Sequence, residues 1–244
     1  DVLTRLRGMF ALGLWDQARE RLLLARDRLG EKPLYYAQLD AGELLFASEA
    51  KALFEHRGVV RAVNHDALPA YLALGYVPPP MTLFAGIEKL APGQFLISEN
   101  GTIRKDWYWQ PIMEATNAPA YPEAVQLVRA KLIETVEAQM MSDVPIGAFL
   151  SGGVDSSAVV AIMARATSQP VQTFTVGYDA EAGSPYDRKF NQDVEFAADV
   201  SRALHTEHHL IKLKTNDGGQ LASLVTSLIY MLDEPITDAT AILT

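Results

Sequence analysis

The residue types best suited to chemistry fall in one short run, which consists of Ser151, Gly152, Gly153, Val154, Asp155, Ser156 and Ser157. Its two glycines would let the backbone approach an anion without a Cβ in the way, and its serines would add hydroxyl donors. A carboxylate would repel a phosphate, so Asp155 fits such a site if it holds a divalent cation that bridges to the phosphates. The run therefore predicts a site for a phosphorylated ligand and a metal ion.

The flanking sequence must place this run between a strand and a helix. Residues 144–150 are apolar and typical of a strand buried on both faces, and residues 156–167 have the pattern of a helix that Pro170 ends. A helix that begins there offers unpaired N–H groups and the positive end of its dipole. A glycine-rich turn with a serine cap is the structural alternative. The run contains neither a Gly-Lys-Ser/Thr loop nor a Gly-x-Gly-x-x-Gly fingerprint.

The rest of the chain divides into a β-rich first half and a second half in which strands and helices alternate. In the first half, strands are expected over residues 9–15, 21–26, 34–37, 43–47, 94–97 and 102–104. Helices are expected over 48–54, with Ser48 as the cap, and from either Asn64 or Asp66 through Leu74. In the second half, helices are expected over 122–141, 193–204 and 220–231, and strands over 171–176 and 208–213. That alternation predicts a parallel sheet, and the residues between the halves, 111–121, are typical of a linker.

The composition is that of a globular protein with an acidic surface. The chain has 244 residues, of which 49% are hydrophobic, and its net charge of -9 makes it a poor general binder of nucleic acid or of an anionic membrane. Because it has no cysteine, disulfides, thiolate zinc sites and a cysteine nucleophile are excluded from these residues. No apolar run approaches the roughly 18 residues that span a bilayer, and residues 1–20 lack a signal pattern. A cytoplasmic location is therefore expected.

Two sets of motifs resemble known families. The run from Ser151 to Ser157 resembles the pyrophosphate-binding loop of the ATP pyrophosphatase families, whose pattern is Ser-Gly-Gly-x-Asp-Ser. Residues 7–16, 25–36 and 46–53 are similar to three successive signatures of class II glutamine amidotransferase domains. In this order the motifs resemble the layout of glutamine-hydrolysing asparagine synthetases. Two further short motifs also fit that layout: Pro92-Gly93 and Asp233-Glu234-Pro235.

That resemblance implies an architecture and a reaction. The fold would be an α+β amidotransferase-like sandwich over residues 1–110, a linker over 111–121, and an α/β parallel-sheet domain of the ATP-pyrophosphatase (adenine nucleotide alpha hydrolase-like) type over 122–244. The enzyme would be an ATP-dependent, AMP-forming amide ligase, which forms an acyl-adenylate from ATP and aspartate and amidates it with ammonia from glutamine. ATP, aspartate and glutamine or ammonia would be its small-molecule partners, with Mg2+ as the cofactor, and a homodimer is left open.

The resemblance also implies roles for particular residues. Leu150 and Val176 would flank the adenine or ribose at the carboxyl ends of adjacent strands, where ligands of open α/β sheets bind; plain core packing is the alternative for both. The run from Ser151 to Ser157 would bind the pyrophosphate portion of ATP, and Asp155 would hold Mg2+. Asp238 would either approach the phosphates or be a solvated loop acid. The five histidines are expected to be structural rather than metal ligands.

The sequence departs from the family pattern in two places. The family hydrolyses glutamine with an N-terminal cysteine, and no cysteine is present; the Ser-Gly-Asp-Gly-Gly-Asp-Glu stretch that completes the ATP and aspartate sites is absent too. The chain starts at Asp1 and ends abruptly at Thr244, so we interpret it as a segment of a longer protein. Three hypotheses stay open: asparagine synthesis, amidation of another carboxylate such as a surface sugar acid or a β-lactam precursor, and a catalytically inactive binding module.

Overall fold

The computed structural model describes residues 2–40, 42–111, 119–178, 191–213 and 218–235. They form two compact units. The first, here called the antiparallel unit, contains the described residues of 1–113 and 225–241. The second, the parallel unit, contains those of 114–224. The division between the units falls within the last helix, α7 (Gly218–Leu232).

The antiparallel unit contains two sheets. The strands of the first, in the order β1-β2-β6-β7, are β1 (Ala11–Asp16), β2 (Arg21–Arg26), β6 (Gln94–Glu99) and β7 (Thr102–Trp107). Those of the second, in the order β4-β3-β5, are β3 (Tyr35–Gln38), β4 (Leu44–Ala47) and β5 (Glu88–Lys89). All the pairings are antiparallel, so each expected hairpin is present, with bounds that differ by a few residues.

Both sheets contribute side chains to one core. Leu24 of β2 and Leu96 of β6 pack with Tyr36 of β3, and Leu34 and Leu90 complete the buried cluster. Each such side chain stabilises the fold by about 1.5–3 kcal/mol when it leaves water. The register places Leu24 opposite Leu96, so the apolar faces of neighbouring strands coincide.

The antiparallel unit also contains short helices: α1 (Val2–Arg5), α2 (Ala50–Leu53), a 3-10 turn (His65–Ala67) and α3 (Leu68–Leu74). Asn64 starts the 3-10 turn as expected, since its side chain accepts a hydrogen bond from the N–H of Asp66. The expectation that Ser48 caps the N-terminus of α2 is wrong. The residue before α2 is Glu49, which gives no side-chain cap, and the carboxylate of Asp233 accepts the N–H groups of Ala50 and Lys51 instead.

The turn between β2 and β3 is held by two charged side chains. The buried carboxylate of Asp27 accepts hydrogen bonds from the N–H groups of Phe10, Leu29, Glu31 and Lys32. The guanidinium of Arg26 donates to three carbonyl oxygens, those of Lys32, Leu90 and Gly30. These contacts give the residues a structural role, in agreement with their place beside the core.

The parallel unit contains a three-stranded parallel sheet, as the alternation of strands and helices predicts. Its order is β10-β9-β8, formed by β8 (Gly147–Phe149), β9 (Gln172–Tyr178) and β10 (Glu207–Leu213). Its helices are α4 (Tyr121–Gln139), α5 (Val154–Ala166) and α6 (Gln192–Leu204). Leu150, Val160 and Ala197 form a buried cluster that joins the end of β8 to α5 and α6.

One expectation about this sheet is wrong. The apolar run over residues 144–150 does not form a strand buried on both faces, because β8 has only three residues and Phe149 is 58% exposed. The physical reason is position: β8 lies at an edge of the described sheet and pairs only with β9. No helix in the described ranges combines the length and apolar character needed to cross a membrane.

Candidate functional site

The candidate site begins where β8 ends. Leu150 is 1% exposed, and its backbone is held to β9 on both sides: its N–H donates to the carbonyl of Phe174 at 2.8 Å, and its carbonyl accepts from the hydroxyl of Thr175. The chain therefore leaves the sheet at a fixed point. The next residue, Ser151, is exposed.

The first turn of α5 presents unpaired backbone donors. The helix starts at Val154, two residues earlier than the sequence pattern suggests, and Gly153 before it has extended dihedral angles and no side chain to cap the end. The N–H groups of Val154, Asp155 and Ser156 therefore have no partner within the helix. Such an end attracts anions through both its donors and its dipole.

The two glycines of the run have different structural roles. Gly152 has φ +74, and a Cβ there would lie 2.4 Å from Cβ of Phe196 and 2.6 Å from the backbone nitrogen of Ala197. A side chain is thus excluded by the packing of the loop against α6. Gly153 has an ordinary φ of -68, and a Cβ would meet only the hydroxyl of Ser151, at 3.3 Å. A side chain at Gly153 would therefore crowd one hydroxyl group but would not meet the packed backbone that excludes a side chain at Gly152.

The three serines also differ. The hydroxyls of Ser151 and Ser156 lie 2.9 Å apart, and the Ser156 hydroxyl contacts the carbonyl of Gly153 as well. The Ser151 hydroxyl accepts from the N–H of Gly153, so this pair shapes the loop. The hydroxyl of Ser157 is buried and has no hydrogen-bond partner among the described residues. Ser151 and Ser156 are therefore the hydroxyls that the loop can offer to a ligand.

Asp155 is the one acid in the loop, and its carboxylate is available. It lies in the first turn of α5 and is exposed. It makes no ion pair with any residue in the described part of the chain. Nor do those residues contain a group of three or more His, Cys, Asp or Glu side chains that could hold a metal ion by themselves. Asp155 is therefore the one carboxylate that the described loop presents to a cation.

Val176 lies on the strand next to the loop. The register pairs Phe149 with Phe174, which places Val176 two residues further towards the carboxyl end of β9, and its side chain is half-buried. Leu150 and Val176 thus lie at the carboxyl ends of neighbouring strands, together with the loop. Asp238, the other candidate, lies outside the described residues.

The histidines on β10 take part in a polar network. His208 Nδ1 lies 3.0 Å from the hydroxyl of Thr173, which also contacts the hydroxyl of Thr206. His209 stacks on Phe174. Burial, and then the neighbouring His209, lower the pKa of His208. A neutral imidazole is the form that this network favours.

Two acidic residues matter more than the sequence analysis indicated. Asp233 and Glu234 were noted only as part of a short motif, yet both are buried and bonded to distant parts of the antiparallel unit. The sequence did contain one signal of a structural role, an acidic pair followed by proline at the end of a helix. The residues bonded to that pair are 145 or more positions away in the chain, so spacing could not identify them.

A parallel sheet whose strands alternate with helices makes the parallel unit an α/β domain, and the loop between β8 and α5 is its candidate site. Comparison with known proteins gives the particular family. Residues 1–109 match the family model described as a glutamine amidotransferase domain, and residues 127–244 match the model described as asparagine synthase.

Curated relatives match nearly the whole chain. It is 32% identical to a putative glutamine-hydrolysing asparagine synthetase 2 of Methanocaldococcus jannaschii, over 98% of this chain and 44% of that protein. It is 32% identical to asparagine synthetase 1 of Bacillus subtilis, over 99% of this chain and 36% of that protein. It is 34% identical to a putative asparagine synthetase of Mycobacterium bovis, over 98% of this chain and 36% of that protein.

The chain therefore belongs to the glutamine-hydrolysing asparagine synthetase family. It spans less than half the length of these relatives.

Proposed function

We propose that this chain is part of a glutamine-hydrolysing asparagine synthetase. In the proposed reaction the side-chain carboxylate of aspartate attacks the α-phosphorus of ATP, the bond to the bridging oxygen breaks, and pyrophosphate leaves. Ammonia released from glutamine then attacks the acyl-adenylate, and AMP leaves as asparagine forms. The observation that carries this proposal is the set of N–H groups at the start of α5 that have no partner within the helix, beside the exposed carboxylate of Asp155, which forms no ion pair with the residues that the structure describes.

The loop residues would act on the leaving pyrophosphate. The N–H groups of the first turn, with the hydroxyls of Ser151 and Ser156, would donate to its oxygens, where negative charge grows as the bond breaks. Gly153 would allow the close approach, while Gly152 keeps the loop packed on α6. Leu150 and Val176 would bound the adenine or ribose at the strand ends.

A magnesium ion fits this site. Asp155 supplies one exposed carboxylate, and Mg2+ in nucleotide sites commonly takes one or two carboxylates with phosphate oxygens and water. When bound, Mg2+ would offset phosphate charge and stabilise the leaving group. Asp155 is the residue that would hold it.

The proposed domain plan follows the motifs. Residues 1–110 would be the later part of an amidotransferase-like α+β sandwich, which is supported by two antiparallel sheets with a shared core. Residues 111–121 would be a linker, of which 112–118 lie outside the described range, and residues 122–244 would be the first part of the ATP-pyrophosphatase-type domain. Glutamine hydrolysis itself needs a nucleophile that this chain, without cysteine, does not contain.

Partners and location follow from the chemistry. ATP, aspartate, and glutamine or ammonia would be the small-molecule partners. The net charge of -9 disfavours nucleic acid and anionic membranes, and a cytoplasmic location would suit a consumer of ATP and amino acids. Aspartate is favoured over a sugar acid or a β-lactam precursor as the acceptor because the relatives named above are asparagine synthetases.

An acceptor panel tests the proposal. The complete protein that contains this chain should be incubated with ATP, Mg2+ and ammonium, and with aspartate, glutamate, a uronic acid or a carboxyethyl amino acid in turn. We expect AMP and pyrophosphate to form with aspartate alone. AMP release with another acceptor only would replace asparagine synthesis by the related amidation, and no AMP with any acceptor would favour an inactive module.

A further inference from the structure

Two buried carboxylates follow α7, the last helix among the residues that the structure describes. Asp233 and Glu234 follow α7 directly, and they are 8% and 7% exposed. A buried charge is stable only when it is paired and hydrogen-bonded. Both residues meet that condition, and every partner comes from a part of the chain more than 140 residues earlier.

Asp233 is bonded to the start of α2. Its carboxylate accepts the N–H of Ala50 at 2.9 Å and that of Lys51 at 3.2 Å, and the ammonium of Lys51 lies 3.3 Å away. The same ammonium donates to the carbonyl of Tyr230 in the last turn of α7. The end of α7 and the start of α2 therefore satisfy each other's free backbone groups.

Glu234 is bonded to a different segment. It accepts the N–H of Leu83 at 2.7 Å and forms an ion pair with Lys89 of β5. Lys89 also donates to the carbonyl of Val77, so its ammonium is enclosed by acceptors. Glu234 and Lys89 line a cavity of about 320 Å3 in the antiparallel unit, together with Arg26, Tyr35 and Pro235.

The residues bonded to each other here fall within the matches to two different family models. Asp233 and Glu234 lie in the residues matched as asparagine synthase, whereas Ala50, Lys51 and Lys89 lie in those matched as amidotransferase. The structure nevertheless includes residues 225–235 in the antiparallel unit. A piece of the synthase sequence is thus folded into the amidotransferase part through two charged contacts.

We propose that Asp233 and Glu234 are positioning residues that fasten the synthase sequence to the amidotransferase part, so that ammonia release and ammonia use stay coupled. This inference rests on the proposed function. Neither carboxylate needs to touch ATP, aspartate or glutamine. Their contribution is to fix the end of α7 against α2 and β5, which a neutral side chain of the same shape would do less firmly.

The variants Asp233→Asn and Glu234→Gln test the inference in the complete protein. Asp233 has φ +66, a conformation that asparagine also tolerates, so this change removes the charge without adding backbone strain. Glu43→Gln is the matched control, because Glu43 is an exposed carboxylate of the same unit. Three rates are measured: glutamate release from glutamine, asparagine formation from ammonium, and asparagine formation from glutamine.

We expect the variants to weaken the coupling of glutamine hydrolysis to asparagine formation without slowing either reaction by itself. Glutamate release and ammonium-dependent synthesis should stay within about twofold of the unmodified protein, while glutamate formed per asparagine rises roughly fivefold, the lower end of typical coupling between sites. The control should leave that ratio unchanged. An unchanged ratio in both carboxylate variants, or an equal fall in all three rates, would contradict the inference.

A milder variant covers the case in which a buried substitution prevents folding. Lys51→Met leaves Asp233 its two backbone donors, and Lys51 is partly exposed. It should raise the ratio in the same direction, and combining it with Asp233→Asn should add little, since both remove one contact. Additive effects would overturn the assignment. If the unmodified protein makes no asparagine from ammonium, the proposed function is wrong. If the variants are active but form the same amount of glutamate per asparagine as the unmodified protein, only the positioning role is wrong.

Discussion

Asp155 occupies the first turn of α5, where an acid already interacts favourably with the helix dipole, yet it has no ion-pair partner among the described residues. An exposed carboxylate in that place would weaken the binding of a phosphate by repulsion. A bridging cation removes the conflict, because it turns the repulsion into two attractions. Under the proposed function, cation binding by this single residue is what would distinguish a nucleotide loop from an ordinary helix start, where an acid is also common.

Replacing Asp155 tests that interpretation. In the complete protein, Asp155→Asn should lower aspartate-dependent pyrophosphate release by about 100-fold, because a lost charged ligand to the cation costs a few kcal/mol in the transition state. The thermal midpoint should fall by no more than a few degrees, since the side chain is exposed and the variant loses only a dipole interaction of about 0.3–1 kcal/mol. Asp143→Asn, another exposed acid of the parallel unit, is the control. Equal activity in the two variants would remove Asp155 from the site.

Substitutions of Gly152 and Gly153 by alanine provide a matched pair of variants. Gly152→Ala should lower the free energy of unfolding by roughly 2 to 4 kcal/mol, from the positive φ and from the clash with α6. Gly153→Ala should change it by less than about 1 kcal/mol but should weaken ATP binding. Urea unfolding and ATP titration measure the two effects. Equal stability of the variants would mean that the loop does not pack on α6 in solution.

At the scale of elements, local pattern predicted most strands and helices but not what caps or covers them. The strands of the antiparallel sheets were predictable because their apolar residues alternate and turns separate them. Ser48 was expected to cap α2 because it is the nearest capping residue type. Asp233 does so instead, since a carboxylate can accept two N–H groups and also pair with Lys51.

The turn after β2 shows how one element depends on a single acid. Burial raises the pKa of Asp27, but hydrogen bonds from the backbone of Lys32, Glu31, Phe10 and Leu29 outweigh it, so the pKa lies below its usual value of 3.8. A carboxyl group whose pKa is lowered by folding stabilises the native state above the unfolded pKa. That contribution is lost as the pH falls through 3.8 towards the lower folded value.

Substitution of Asp27 should reveal this contribution. Asp27→Asn should lower the free energy of unfolding near neutral pH by roughly 2 to 4 kcal/mol, because an amide replaces a charged acceptor of several N–H groups. The difference from the unmodified protein should shrink below about pH 4. Asp40→Asn, an exposed loop acid, should have little effect. Denaturant unfolding at several pH values would show whether the difference instead stays constant.

At the scale of the whole molecule, the sequence predicted that the run from Ser151 to Ser157 lies between a strand and a helix, where its residue types favour an anion site. The different roles of its two glycines could not be predicted. The exclusion of a Cβ at Gly152 depends on Phe196 and Ala197, whose approach is a tertiary event. The exposure of Phe149 at a sheet edge and the long-range hydrogen bonds of Glu234 could not be predicted either, because they also depend on tertiary contacts.

The most direct test of the account is the site of ATP cleavage. The complete protein should be supplied with ATP labelled in its α-phosphate, Mg2+, ammonium and aspartate, and the products should be separated. We expect label in AMP, with an equal amount of pyrophosphate and of asparagine, and none of the three products without aspartate. Label in ADP with release of inorganic phosphate would contradict it.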